Sequence, residues 1–429
     1  MSSALLTDRY ELTMLEASLK SGTAGRDSVF EVFARRLPEG RRFGVVAGTG
    51  RFLQLLADFR FGDDELAWLR EAGVVDSPTL DWLADYRFSG TIRGYREGEA
   101  YLPGSPLLVV ESSFAEGVLL ETLALSVFNH DSAVAGAAAR MVSAADGRPL
   151  AEMGSRRTGE RSAVAAARAA YVAGFGATSN LEAGRSWGIP TMGTAAHAFT
   201  LLHDTEEDAF RAQVATLGSG TTLLVDTYDI AEAVETAVRV AGTGLGAVRI
   251  DSGDLPIVVA QVREQLDALG ATGTRITVTN DLDEFTIAAL RAAPVDGYGV
   301  GTSVVSGSGH PAAGMVFKLV ARRGDDGEWL SVSKKSADKA TVGGRKHPVR
   351  VLRDGVAVEE RIKVGTDETG PDERALLVPL VVDGVVDDRW TGPEGTALAR
   401  EHHAAAIAEL PHEAFRLGRG EAVLPTVYA

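Results

Sequence analysis

Apolar and polar positions along this chain fall into blocks whose period changes. Over residues 52–69 apolar side chains recur every three to four positions, which predicts an amphipathic helix, whereas 28–35 and 88–108 carry the alternation or β-rich content of strands. From about Ser112 the pattern becomes alanine-rich and helical, beginning with 114–141, and such a helix needs an apolar surface to pack on. Between Arg140 and Val305 short apolar runs recur, and each ends in a small polar or glycine-containing cluster. The clusters are Gly154-Ser155-Arg156-Arg157, Thr178-Ser179-Asn180, Gly193-Thr194-Ala195-Ala196-His197, Asp226-Thr227-Tyr228-Asp229, Arg249-Ile250-Asp251-Ser252-Gly253, Thr279-Asn280-Asp281 and Gly299-Val300-Gly301-Thr302. Helical patterns separate most of them, at 160–171, 206–217, 230–241, 256–269 and 284–293. Strands alternating with helices at this spacing predict parallel βαβ units. Seven such strand ends in one run predict a closed or nearly closed α/β barrel, whose chemistry gathers at the C-terminal ends of the strands. Beyond Met315 the β pattern returns at 328–333 and 349–364, and 396–416 reads as helix. The expected architecture is α/β: an irregular barrel over 116–320, with a sheet-containing α+β domain built from the terminal segments 1–115 and 321–429.

Composition narrows the chemistry. The 429 residues include 43 Lys and Arg against 59 Asp and Glu, a formal charge of -16, which argues against a general nucleic-acid or anionic-membrane surface. An anionic substrate must therefore meet a locally cationic pocket. The chain has no cysteine, so disulfides, thiolate metal sites and cysteine nucleophiles are excluded, and a reducing cytosol is the expected setting. Asp8, Arg9 and Glu11 interrupt the first fourteen residues where a secretory signal would be apolar, and Glu121 and Arg168 break the longest greasy stretches before a membrane span is reached.

Four clusters carry the most chemistry. Gly299-Val300-Gly301-Thr302 follows an apolar run, and glycines at a strand end let backbone N–H groups converge on an anion; a tight turn without a ligand has the same spelling. Gly242 to Gly246 resembles a dinucleotide loop but follows a helix and reads as a connection. Arg249 and Asp251 stand two residues apart on one side of a strand end. There the guanidinium can grip a phosphate or carboxylate and the acid can meet ribose hydroxyls or a cationic sugar, unless the two simply pair. Arg156-Arg157 offers a second cationic group, or a solvated basic turn. His197 closes its cluster at the expected barrel mouth, where an imidazole can serve as base, metal ligand or phosphoryl acceptor, or can merely pack. His130 and His203 share that ambiguity, and His402-His403 on a polar helix reads as solvated. No zincin histidine pair, Walker loop or nucleophile elbow is present. A Schiff-base aldolase would want a strand-end lysine, which none of the seven clusters contains.

Taken in order, these motifs resemble the nicotinate phosphoribosyltransferase family. The resemblance begins with Thr7-Asp8-Arg9-Tyr10-Glu11-Leu12-Thr13-Met14, continues through the clusters at 154–157, 178–180, 193–197, 249–253 and 299–302, and ends with Lys335-Ser336, Lys339 and 341–346. It implies an α/β barrel joined to a terminal-segment domain, acting as a cytoplasmic homodimer with shared active sites. The implied reaction joins nicotinate to phosphoribosyl pyrophosphate, giving nicotinate mononucleotide and pyrophosphate, coupled to ATP hydrolysis in NAD synthesis; use of nicotinamide is the alternative within the same chemistry. By the same resemblance His197 is transiently phosphorylated by ATP, Tyr10 stacks on the pyridine ring from the partner subunit, and Thr194 and Arg249 contact nicotinate. Thr302, with Gly301, holds the phosphoribosyl phosphate, Ser179 joins the substrate contacts, and Arg156 and Asp251 meet pyrophosphate and ribose. Mg²⁺ is implied with the substrate phosphates, which supply most of its ligands, and no dedicated protein metal site is expected. Asn129-His130-Asp131 replaces a more apolar helix stretch expected of the family.

Overall fold

The computed structural model describes residues 2–334 and 342–429, so Lys335, Ser336, Lys339 and Thr341 lie outside the described residues. Two compact units emerge, Met1–Gly136 with His310–Ala429, and Ala137–Gly309. The sequence placed its boundaries at 115/116 and 320/321. The difference has a plain cause on both sides. The first turns of the helix Glu121–Ala145 contribute Leu123, Val127 and Phe128 to the core of the first unit, and strand Met315–Arg323 pairs along Asp27–Ala34 in that same unit.

The first unit is built on a seven-stranded antiparallel sheet in the order Trp329–Ser331, Met315–Arg323, Asp27–Ala34, Leu108–Ser113, Thr91–Tyr95, Leu377–Val382, Val385–Val386. Strands from the two ends of the chain thus lie side by side, and Phe30 stacks on Phe317 with ring centroids 5.1 Å apart. A smaller sheet contains the hairpin Lys346–Arg353 and Val356–Val364, turned by Asp354-Gly355, both at positive φ. Asp-Gly is the dipeptide whose left-handed backbone matches the twist of a two-residue hairpin. The helix expected over 52–69 is two helices, Thr49–Ala57 and Asp63–Glu71. Phe59 and Phe61 between them are buried, each edge-on to Tyr86, so burying both rings breaks the helical phase.

Two polar features there were read differently from the sequence. His402 and His403, expected to be solvated, are buried on helix Gly392–Ala408: His402 Nε2 lies 2.8 Å from Glu99 Oε2, and His403 Nδ1 2.9 Å from the Gly98 carbonyl. That helix ends ahead of Pro411 rather than running to 416, because proline cannot continue it. Asn129-His130-Asp131 acquires a structural role. Asn129 exchanges two hydrogen bonds with the Met315 backbone, and Asp131, fully buried, binds Arg51 at 2.6 Å and the His130 ring at 2.8 Å.

The second unit carries the parallel strands, labelled here β1 (Leu150–Glu152), β2 (Ala177–Thr178), β3 (Thr222–Leu224), β4 (Ala247–Ile250), β5 (Arg275–Thr279) and β6 (Gly297–Val300). Their order is β2-β1-β6-β5-β4-β3, all parallel. The closed or nearly closed barrel expected from the sequence is met in part: six of the strands form one curled parallel sheet that no ladder closes among the described residues. Thr191 meets Thr178 through a single bridge, and among the described residues no ladder joins that segment to β3. The outcome is a parallel sheet with one open seam. Helices follow the strands where the pattern placed them, with Glu206–Leu217 and Ile230–Ala241 matching to the residue. Some of the polar residues at the strand ends are helix caps: Asn180, Asp229 and, just past its cluster, Asp283 accept from the backbone N–H groups of Ala183, Glu232 and Thr286. Among the described residues no helix is long and apolar enough to cross a membrane.

Candidate active site

The C-terminal ends of β1, β4, β5 and β6 surround a cavity of about 220 Å³. Arg156, Arg249, Asp251, Gly301 and Thr302 line it, as the sequence anticipated, together with Arg157, Thr279, Asn280 and Asp281. Three guanidinium groups face two carboxylates, so the pocket is locally cationic on a chain of charge -16. Close backbone approach shapes it. A Cβ on Gly154 would lie 2.9 Å from the Gly301 carbonyl, so a side chain there would push the β1 and β6 turns apart, and one on Gly299 would meet the Thr279 and Met153 side chains at 2.6 and 2.7 Å.

At the open seam, side chains do what the missing ladder does not. Arg249 reaches from β4 to donate through Nη1 to Thr194 Oγ1 at 2.7 Å and through Nη2 to the Ala195 carbonyl at 3.1 Å. Burial holds its pKa below the ordinary guanidinium value; Asp251 and Asp226 oppose that shift and Arg156 adds to it. His197, at the start of helix His197–Leu202, has a side chain 41% exposed rather than packed into hydrocarbon. Its Nε2 lies 3.1 Å from Oδ1 of Asp226, whose own side chain is only 1% exposed. The other oxygen of Asp226 accepts the Asp251 N–H at 2.7 Å and the Ser252 hydroxyl at 2.8 Å. One carboxylate therefore links the imidazole to the turn that carries Asp251. Asp251 Oδ1 in turn accepts the Thr279 hydroxyl at 2.5 Å. Close behind, burial and the charges of Asp226, Asp229 and Glu232 push Glu206 up to about 7.

Asp226, Thr279 and Asp281 had no role assigned from the sequence, although all three stand in its clusters. Asn280 gives a further local sign, since φ of 132° is a region where non-glycine residues are strained, and such residues gather at functional sites. Ser179 does not line the cavity; its N–H donates to the Glu152 carbonyl at 2.8 Å. His203 is bonded to its own helix, Nδ1 to the Phe199 carbonyl at 2.8 Å. Tyr10 belongs to the first unit, on helix Arg9–Ser21, 45% exposed, with its hydroxyl pushed up to about 12 by partial burial and by Glu121 and Glu11. The rest of its motif is anchoring: buried Glu11 accepts the Thr122 N–H at 2.8 Å, capping helix Glu121–Ala145, and also binds the Thr7 hydroxyl.

A cationic cavity at the ends of parallel strands, with a solvent-reachable histidine tied to its acidic wall, defines an enzyme site for a phosphorylated small molecule. Comparison with known proteins makes this specific. The family model described as the nicotinate phosphoribosyltransferase (NAPRTase) N-terminal domain matches residues 5–129. The chain is 56% identical to nicotinate phosphoribosyltransferase pncB1 of Mycobacterium tuberculosis, over 98% of its own length and 94% of that protein's. It is 35% identical to the nicotinate phosphoribosyltransferase of Bacillus subtilis, over 82% and 74% of the two lengths. The crystal structure of human nicotinic acid phosphoribosyltransferase shares the fold, with a TM-score of 0.83 at 24% identity, covering 99% of this chain and 97% of that one. The chain belongs to the nicotinate phosphoribosyltransferase family. It is accordingly an enzyme of that type, in NAD biosynthesis.

Proposed function

We propose that the cavity binds phosphoribosyl pyrophosphate and that the enzyme transfers its phosphoribosyl group to nicotinate in a reaction coupled to ATP through a phosphorylated His197. The observation that carries this reading is the double use of Asp226, which accepts from His197 on one side and from the Asp251 turn on the other. In this reading Gly301 and Thr302 hold the 5′-phosphate, and Arg156 and Arg157 draw charge from the departing pyrophosphate. The bond from C1 of the ribose to pyrophosphate breaks, and the pyridine nitrogen forms its bond to that carbon. Positive charge developing on the sugar is met by the carboxylate of Asp251, with Asp281 positioned for ribose hydroxyls. Thr194 and Arg249 receive the nicotinate carboxylate, Ser179 adds a polar group on the turn after β2, and Tyr10 of the partner subunit in a homodimer supplies the stacking ring.

Mg²⁺ suits these residues as a companion of the substrate. Among the described residues no group of three or more histidine or acidic side chains could hold a metal alone, whereas Asp251 and Asp281 add oxygen donors beside a diphosphate. When bound it would neutralise charge on the leaving oxygens. A phosphate on His197 would bring negative charge next to the pyrophosphate site and so change substrate affinity. The absence of cysteine is compatible with the cytoplasmic location this role requires.

Mononucleotide formation, measured with nicotinate or nicotinamide and with or without ATP, tests the reaction. Product from nicotinate, increased by ATP, is the expected result. With ATP labelled at the γ-phosphate, wild-type protein should acquire an acid-labile adduct that His197→Ala lacks; an equal adduct on the variant removes His197 from this role.

A further inference from the structure

We propose that Glu152 is a positioning residue for phosphoribosyl transfer, clamping the turn that carries Arg156 and Arg157 so that both guanidinium groups face the diphosphate end of the substrate. This rests on the reading of the cavity as the phosphoribosyl pyrophosphate site. Glu152 ends β1 and is fully buried. Its two carboxylate oxygens are divided between two turns: Oε1 accepts the Gly154 N–H and Oε2 accepts the Thr178 hydroxyl at 2.6 Å. Its backbone carbonyl accepts from Ser179 at 2.8 Å. The circuit then closes on itself. Thr178 Oγ1 accepts the Asn180 N–H at 3.0 Å, and Asn180 Nδ2 donates to Ser155 Oγ at 2.9 Å. Ser155 lies between Gly154 and Arg156, so the two residues ahead of the first arginine are both held by this ring.

The arrangement also decides what the glycine turn is for. The Gly154 N–H is taken up by a carboxylate of the protein and is not available to an anion. Anion binding at this end of the cavity falls to the two arginine side chains, which makes their aim the determining variable. Burial raises the Glu152 pKa against the lowering effect of its bonds from Thr178 and Gly154. A core aliphatic residue would avoid that cost, but only a side chain that ends in two polar groups can hold both turns.

Three variants give the test. Glu152→Ala removes the clamp. Glu152→Gln keeps an oxygen for the Gly154 N–H and offers an NH₂ to the Thr178 oxygen. Thr178→Val removes one arm without touching the carboxylate. Misplacement of reactive groups by about 1 Å costs on the order of 100-fold, so Glu152→Ala should raise the KM for phosphoribosyl pyrophosphate by about 10- to 100-fold, and weaken its binding in calorimetry alike, with the KM for nicotinate moving less than about 3-fold. Glu152→Gln should recover most of that loss, and Thr178→Val should show the same selective KM change at smaller size. Equal changes in both KM values, a fall in melting temperature with unaltered kinetics, or no rescue by Gln overturns the proposal. Should Glu152→Ala fail to fold, Thr178→Val with a wild-type KM for phosphoribosyl pyrophosphate overturns it instead. These outcomes are separable from failure of the parent reading, in which the wild-type protein would neither bind phosphoribosyl pyrophosphate nor form mononucleotide from it.

Discussion

Replacing Asp226 by Asn keeps the shape of the side chain but leaves one acceptor oxygen where there were two. Asp226 serves three donors: the Asp251 N–H at 2.7 Å and the Ser252 hydroxyl at 2.8 Å share one oxygen, and His197 takes the other at 3.1 Å. The amide can satisfy two donors or one, so its oxygen stays with Asp251 and Ser252 and its NH₂ turns to His197 Nε2. The imidazole must then accept at Nε2 and carry its proton on Nδ1, and it loses a charge-assisted bond in a site where the carboxylate is 1% exposed. Such a bond contributes about 2 kcal/mol, which corresponds to about 30-fold in any step that needs the histidine so oriented. The assay compares two rates on the same preparation: ATP-dependent labelling of His197, and mononucleotide formation without ATP. Labelling should fall about 30-fold and uncoupled transfer less than about 3-fold, since the Asp251 turn keeps both of its bonds. Labelling at the wild-type rate in a variant that melts like wild type would refute the orienting role. Equal losses in both rates would refute the division of labour between the two oxygens.

Arg249→Lys replaces a fork that binds Thr194 and the Ala195 carbonyl with one ammonium, which cannot reach both; the KM for nicotinate should rise about 10-fold while His197 labelling changes little, and an unchanged KM counts against this contact. Glu360→Ala should destabilise the protein by about 3 kcal/mol, because Arg350, 2.7 Å away and like Glu360 fully buried, loses its nearer counter-charge and keeps only Glu99 at 3.8 Å; a chemical denaturation series reads this, and a loss below about 1 kcal/mol contradicts it. His403, lowered from 6.5 to about 4 chiefly by burial, binds a proton more readily in the unfolded chain, so the stability it permits is fully present above about pH 6.5 and is lost as pH falls toward 4, up to about 3 kcal/mol. Glu11 and Glu31, each raised to about 7 by burial, act in the opposite direction, so the measurement is the pH dependence of the stability difference between wild type and His403→Gln. Wild type should lose ground to the variant between pH 7 and pH 4.5, and a pH-independent difference rejects the buried neutral imidazole.

The parts of the fold legible in the sequence are those set by local rules. Helices Glu206–Leu217 and Ile230–Ala241 could be placed to the residue because Thr205 and Asp229 cap their first turns and Gly218 and Gly242, both at positive φ, end them. Helix Gly392–Ala408 was legible as a helix but not in its orientation. Alanines cover much of its surface, and its two histidines stand on the inward face, where Glu99 and the Gly98 carbonyl receive them. A polar residue in an alanine-rich helix does not by itself report which side faces water. The break at 58–62 was hidden for a related reason, since Phe59 and Phe61 extend an apolar pattern that only Tyr86, distant in the chain, converts into a bend.

The site divides along the same line. Position at a strand end brought Arg156, Arg249, Asp251, Gly301 and Thr302 into view, but so it did Asn180 and Asp229, which cap helices. What separates the chemistry from the capping is pairing over long separations: Arg249 with Thr194 across 55 residues, His197 with Asp226 across 29, Thr279 with Asp251 across 28. No spacing rule predicts these. The first two span the open edge of the sheet, where side chains rather than a ladder tie the segment after Thr191 to β4 and to the turn after β3, and the third joins the ends of the neighbouring strands β5 and β4. Side-chain bonds, unlike a ladder, can be given up and remade when charge changes nearby, so the phosphorylation proposed for His197 would fall where its neighbours can respond. The open seam therefore also leaves the imidazole of His197 partly exposed beside Asp226.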